Sequence, residues 1–283
     1  MRRSEVNGET IGVVFEPDEG SNHFAVVLGG SGGGIPENLA RRLAEGGVSA
    51  FALGYFGAAG LPPHLVEIPI ELLEQGIELF RERFAGGKDI GLMGVSKGAE
   101  LALTLAAELG DAIGPVVAIA PSNVVWYGVN FSDPMAATRS SWTLRGAPLP
   151  FLPLRPDVVP VFTDAGMRTD VCYDLSDHDP EAVNAARIRL EQARGPVLLL
   201  AGDDDHMWPS ALMADQIVRR MHDHGRGEDV TNVTYGGAGH AFLLREFFTS
   251  PPPFDFGGTA ESDSAAAKDG WAHVAAFLQS SRP

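Results

Sequence analysis

The sequence predicts an α/β fold, a mostly parallel central sheet with helices on both faces, and three observations carry that expectation. Short apolar runs alternate with amphipathic stretches along most of the chain, the pattern of successive βαβ units. Ser96 stands where one apolar run gives way to a helical one, between Gly94 and Gly98. Further on, Asp203-Asp-Asp-His206 follows an apolar run directly, and His240 lies on a small-residue loop after the short strand Thr231–Tyr235, at the strand ends where such sheets build their sites.

Taken in order, Asn7-Gly8 ahead of Gly12-Val-Val-Phe-Glu16 reads as an early hairpin. Ala25-Val-Val-Leu28 is a buried strand leading into Gly29-Gly-Ser-Gly-Gly-Gly34. Asn38 to Gly46 is amphipathic, with Leu39 and Leu43 at helical spacing. Ser49 to Leu53 is the next strand and Pro69 to Phe84 a longer helix. Ile90–Met93 is a strand, and after the turn at Ser96 a helix runs from Ala99 to Leu109, where Gly110 stops it. Val116–Ile119, Val197–Leu200 and Thr231–Tyr235 add strands.

The stretch from Ser122 to about Arg194 breaks that rhythm. It holds Trp126, Tyr127, Phe131, Trp142, Phe151 and Phe162 among clusters of proline. A long insertion in a regular fold is usually functional. The expectation is a cap that walls an acyl or aromatic pocket, within one domain spanning residues 1–283; an elaborated sheet edge is the plainer alternative.

At 283 residues and 45% apolar, the chain is long enough to bury one full core. Its start, Met1-Arg-Arg, does not read as a signal peptide, and its last residues, Ser281-Arg-Pro283, differ from the usual S-K-L peroxisomal address. No apolar run approaches membrane-spanning length, and the lone Cys172 suits a reducing compartment; the expectation is a cytoplasmic protein without a membrane partner. A net charge of −16 argues against nucleic acid. It would also repel a strongly anionic substrate, unless Lys97, Arg81, Arg83 or Arg139 form a local basic cluster.

A serine at a strand-to-helix turn, with glycine two residues before and two after, is the nucleophile elbow of the α/β-hydrolase fold. Such a nucleophile needs a base, an acid to orient it and donors for the developing oxyanion. In this fold the acid precedes the histidine in the chain. Asp205, just past Leu198-Leu-Leu-Ala-Gly202, is the candidate acid, with Asp204 in reserve. His240, on the small-residue loop Gly236-Gly-Ala-Gly, is the candidate base, and His206 its main competitor. The backbone N–H groups of Ser31 and Lys97 are the candidate oxyanion donors. The Lys97 side chain either contacts an anionic leaving group or is simply solvated at the helix start. Trp126, Tyr127, His206 and Trp208 are candidate pocket residues.

Neighbouring residues at a strand end point in different directions, so Asp203-Asp-Asp-His206 is not expected to hold a metal. Gly29–Gly34 lacks the Gly-Lys-Ser/Thr ending of a phosphate loop and the acidic partner of a dinucleotide site, so no cofactor is expected.

Several segments together resemble the C-terminal catalytic domain of the acyl-CoA thioesterases and bile acid-CoA:amino acid N-acyltransferases, a branch related to dienelactone hydrolases. They are Tyr55-Phe-Gly-Ala-Ala-Gly-Leu-Pro-Pro63, Glu67-Ile-Pro-Ile70, Gly94-Val-Ser-Lys-Gly-Ala-Glu100, Gly202 to Trp208, Gly237-Ala-Gly-His240 and Trp271 to Leu278. The resemblance covers nearly the whole chain and implies Ser96 as nucleophile, Asp205 as acid and His240 as base. Animal members carry an N-terminal β-sandwich ahead of this region, whereas this chain starts almost at the hairpin. Where the family usually has an acidic-Pro-Pro stretch after its histidine, this chain has Ala241-Phe-Leu-Leu-Arg245, with Pro251-Pro-Pro253 further on. The N-acyltransferases and dienelactone hydrolases have cysteine at the position of Ser96, so serine points to hydrolysis. The resemblance implies a serine hydrolase of thioesters, acyl-CoA or carrier-bound, working through an acyl-enzyme on a small-molecule substrate. A carboxylesterase or lactone hydrolase for small organic esters, an acyltransferase to an amine and a non-catalytic binder are the competing readings.

Overall fold

An apolar strand flanked by helices is buried on both faces, which places it inside a sheet rather than at its edge. The computed structural model describes residues 1–248 and 253–280. Pro251, Pro252 and the closing Ser281-Arg-Pro283 lie outside the described residues. Eight strands form one sheet: β1 (Arg2–Val6), β2 (Gly12–Glu16), β3 (Phe24–Leu28), β4 (Ser49–Leu53), β5 (Gly91–Val95), β6 (Val116–Ile119), β7 (Val197–Gly202) and β8 (Val230–Tyr235). They lie side by side in the order β1-β2-β4-β3-β5-β6-β7-β8.

The β1–β2 hairpin is antiparallel, and β2 joins β4 antiparallel. All other neighbours in this sheet are parallel. Every residue of β4 and β5 is buried, as expected of strands with almost no polar side chains, Ser49 being the exception.

Side chains alternate across a strand, and the core divides accordingly. Val26 and Leu28 of β3 face a layer containing α2 (Ile70–Arg83), α3 (Lys97–Leu109) and α5 (Ser210–Asp223). Ala25 and Val27 face the opposite layer, with α1 (Glu37–Glu45) and α6 (Ala260–Ser280). The α/β architecture and the early hairpin are as expected from sequence. Helix starts shift slightly: α2 begins at Ile70 because Pro69 sits at its N-cap, and α3 begins at Lys97, two residues before the expected Ala99.

The insertion between β6 and β7 carries little regular structure. Trp142–Leu144 pairs with Ile68–Pro69 and with Ala147–Pro148, and Val161–Thr163 forms a hairpin with Gly166–Arg168. The helix α4 (Pro180–Ala186) follows, capped by the Asp179 carboxylate. Val124, Trp126, Leu152 and Val183 gather into a small core of their own with Trp208 and Met213. Among the described residues, no helix is long and apolar enough to cross a membrane.

Candidate active site

β5 ends at Val95 and α3 starts at Lys97, so the whole reversal falls on Ser96. Its φ of 58° and ψ of −123° are strained for a residue with a side chain. The surroundings hold it there: its N–H donates to the Ile119 carbonyl at 2.9 Å, and its carbonyl accepts from Ala99 N–H at 2.8 Å. The flanking glycines are steric necessities. A Cβ on Gly94 would run into the Gly98 carbonyl, and one on Gly98 into the carbonyls of Leu28 and Gly29.

His240 lies beyond the end of β8, and its Nε2 is 2.8 Å from Ser96 Oγ. Its Nδ1 is 2.8 Å from Asp205 Oδ2 and 3.0 Å from Oδ1. An ionised carboxylate only accepts, so the Asp205 contact assigns the ring proton to Nδ1 and leaves the Nε2 lone pair facing the serine hydroxyl. The His240 backbone N–H donates to the Phe256 carbonyl at 2.8 Å. Its ring stands edge-on to Trp208 and is stacked with Phe256.

Asp205 just follows β7 and is itself held by three donors. Oδ1 accepts the N–H groups of Met207 at 2.9 Å and Trp208 at 3.2 Å; Oδ2 accepts the Ser210 hydroxyl at 2.6 Å. Asp204, the reserve candidate, turns elsewhere: Oδ2 accepts Gly258 N–H, and Oδ1 is 3.2 Å from His206 Nε2. Ser96, Asp205 and His240 are thus in one hydrogen-bonded line, with Asp204 and His206 outside it.

The glycine loop after β3 closes the other side of Ser96. Gly30 is so near that a Cβ there would sit 3.3 Å from Ser96 Cβ. Ser31 and Lys97 line the same cavity as Ser96 and His240. Lys97 is the first residue of α3, where no carbonyl lies one turn behind to take its N–H. The Tyr55 hydroxyl donates to the Gly29 carbonyl and Gly34 N–H to the Phe56 carbonyl, tying the loop to the segment after β4.

The cavity above Ser96 is about 290 Å³, and its walls include Tyr127, Phe131, Leu154, Tyr173, Trp208 and Phe254. Tyr127 and Tyr173 stack at 5.5 Å, and burial pushes both phenols up. Of the candidate pocket residues, Tyr127 and Trp208 are on the wall. Trp126 is not: it is fully buried behind Tyr173, its indole N–H donating to Ser122 Oγ at 2.9 Å. His206 is also absent from this wall, held between Asp204 and an Asp255 oxygen 3.1 Å from its Nδ1.

Both expectations for the Lys97 side chain are overturned. It is neither solvated nor free to meet a leaving group, because it is buried in an ion pair with Glu100. The suggested basic cluster does not form. Arg81 pairs with Glu78, Arg139 with Glu67, and the Arg83 guanidinium lies over the Phe84 ring. Sequence reasoning also missed Tyr173 and Phe254 on the wall, which no local pattern marks. Glu100 was detectable as the i+3 partner of Lys97. Among the described residues, no group of three or more His, Cys, Asp or Glu side chains is placed to hold a metal ion.

Residues 68–281 match the family described as BAAT / Acyl-CoA thioester hydrolase C terminal. Acyl-coenzyme A thioesterase 6 of Mus musculus is 31% identical over 280 residues, covering 93% of this chain and 61% of that protein. Acyl-coenzyme A thioesterase 1 of Homo sapiens is 26% identical over 296 residues, covering 98% of this chain and 65% of that one. The chain thus spans about three fifths of the length of the curated relatives it matches. Among solved structures, an esterase of Pyrococcus furiosus aligns with a TM-score of 0.57 at 13% identity, covering 100% of this chain and 93% of that one. A monoacylglycerol lipase of Paleococcus ferrophilus aligns with a TM-score of 0.56 at 19% identity, covering 99% of each. At these identities the structural likeness establishes the α/β-hydrolase fold.

Proposed function

The chain belongs to the BAAT / acyl-CoA thioester hydrolase C-terminal family, and from that premise we propose that it is a serine hydrolase of acyl thioesters or esters. The observation that carries the proposal is the line Ser96 Oγ, His240 Nε2, His240 Nδ1, Asp205, with every contact between 2.8 and 3.0 Å. His240 takes the hydroxyl proton as Ser96 Oγ bonds to the acyl carbon. The carbonyl electrons move onto its oxygen, toward the N–H groups of Lys97 and Ser31. As the tetrahedral adduct collapses, the bond to sulfur or oxygen breaks, and His240 gives its proton to the departing thiol or alcohol. Water then enters by the same steps, releasing the acid and restoring Ser96. Asp205 stays ionised and stabilises the imidazolium.

The cavity suits an apolar acyl group. A dry 150 Å³ cavity takes one benzene, so a volume of about 290 Å³ has room for roughly a dozen carbons. Residues 122–194 act in this reading as a cap on a single domain, supplying Tyr127, Phe131 and Tyr173 to the wall. The names of the relatives favour acyl-CoA or another acyl thioester as substrate. One observation favours an ester with an uncharged leaving group instead: Asp133 is on the wall, and the ammonium of Lys97, another wall residue, is occupied by Glu100. The single, buried Cys172 is consistent with a reducing compartment such as the cytoplasm.

Turnover of an acyl-CoA, the matching pantetheine thioester and a p-nitrophenyl ester by wild type and Ser96→Ala tests this function. Loss of the nucleophile is expected to lower kcat by at least about a thousandfold on whichever substrate is best. Wild-type-like turnover by Ser96→Ala would refute it, and the ranking of the three substrates separates thioesterase from esterase.

A further inference from the structure

A lysine and a glutamate lie buried beside the Ser96 turn without joining its relay. Lys97 Nζ is 2.9 and 3.0 Å from the two carboxylate oxygens of Glu100, and the side chains are only 3% and 0% exposed. Burying such a pair costs desolvation that mutual attraction seldom exceeds, so stability alone is a weak reason for it. Its connections suggest a better one. Glu100 Oε1 accepts the Trp142 indole N–H at 2.8 Å and the Trp126 backbone N–H at 3.3 Å, while Lys97 Nζ donates to the Trp126 carbonyl at 3.4 Å. Trp142 packs against Tyr55 with ring centroids 5.9 Å apart, and the Tyr55 hydroxyl holds the Gly29 carbonyl. One carboxylate therefore braces Lys97 directly, the Gly29–Ser31 loop through Trp142 and Tyr55, and the insertion at Trp126.

Resting on the serine-hydrolase reading above, we propose that Glu100 is a positioning residue for the oxyanion pocket. It fixes Lys97, whose N–H is one donor, relative to the loop that carries the other at Ser31. Its side chain is not on the cavity wall, and it meets Ser96 only through the helix backbone, its N–H donating to the Ser96 carbonyl at 3.0 Å. Preorganised donors stabilise an oxyanion only if they are already in place when charge develops, and an error near 1 Å can cost about a hundredfold.

The test compares wild type with Glu100→Gln, which keeps the shape but leaves the Lys97 ammonium without its counter-charge. Active sites are counted by covalent titration with a serine-reactive phosphonate, so misfolded protein does not enter the rates. Each enzyme is then inhibited with an acyl trifluoromethyl ketone, whose carbonyl adds to Ser96 and places an oxyanion in the pocket. The expected result is a kcat per titrated site lower by about tenfold to a hundredfold, KM changed by less than about threefold, and ketone affinity reduced in proportion to kcat/KM. Should Glu100→Gln not fold, Trp142→Phe removes one of the same hydrogen bonds and is expected to show the same pattern at about three- to tenfold.

A merely structural Glu100 would lower the melting temperature and the titrated fraction, leaving kcat and ketone affinity per site unchanged; that result overturns the proposal. If the ketone inhibits Ser96→Ala as well as wild type, the serine-hydrolase reading itself fails and the role of Glu100 falls with it.

Discussion

Asp205 does two jobs with one carboxylate, and that makes it the sharpest residue-scale test of the site. Oδ1 is committed to the N–H groups of Met207 and Trp208, so an asparagine must keep its oxygen there. Its NH₂ then occupies the place of Oδ2, 2.8 Å from His240 Nδ1. An N–H at that place forces the proton onto Nε2, and the ring can no longer accept from Ser96. Asp205→Asn is therefore expected to lower kcat by roughly ten-thousandfold while folding normally, as the equivalent change does in other triads. A loss under tenfold in a steady-state assay would mean that Asp205 does not set the tautomer. Ser96, Asp205 and His240 were legible in the sequence because glycines and strand ends mark them. The choice of Asp205 over Asp204 rests on which side chain meets the Met207 and Trp208 amides, a detail of the turn after β7 that composition does not encode. The fate of Lys97 was hidden for a different reason: it is decided by Trp126 and Trp142, brought in by a segment with no readable period.

At the scale of elements, the insertion is anchored by polar contacts as well as by its own small core. Glu191, near its return to β7, accepts Arg220 of α5 through Nε at 2.7 Å and also through the second guanidinium nitrogen. Arg226 donates to the Glu191 carbonyl at 3.1 Å. Burial is the largest single influence and would raise the Glu191 carboxyl, but the Arg220 hydrogen bond, a backbone hydrogen bond and the charges of Arg220 and His224 together outweigh it, and the net direction is down. A carboxyl whose folded pKa is depressed stabilises the fold above its unfolded pKa, and that stabilisation is lost as pH falls through the folded value. Glu191→Gln is thus expected to melt below wild type at neutral pH. The gap should close as pH drops below about 4, near the ordinary glutamate value. Melting curves from pH 3 to 7 check this, and a gap constant across the range would contradict it. The break between β6 and β7 was legible because the βαβ rhythm stops there. The insertion's two- and three-residue strands were not, since alternation needs more positions to be seen.

Across the whole molecule, the parallel strands explain how residues so distant in sequence meet. Ser96 and His240 are 144 positions apart and Asp205 and His240 are 35 apart, yet all three follow strands that run the same way and end on one rim. That geometry was predictable, because parallel strands with helical crossovers leave their C-terminal ends together. The composition of the cavity wall was not, since it draws on the insertion, the Met207–Trp208 turn and Phe254 at once. The central claim is that this rim makes Ser96 the group that is acylated. Incubation with a serine-reactive phosphonate, followed by digestion and mass analysis, tests it most directly. The prediction is a single adduct on the peptide carrying Ser96, formed in step with loss of hydrolysis and absent from Ser96→Ala. Complete inactivation with the adduct on another residue, Cys172 included, or full activity with Ser96 modified, would contradict it.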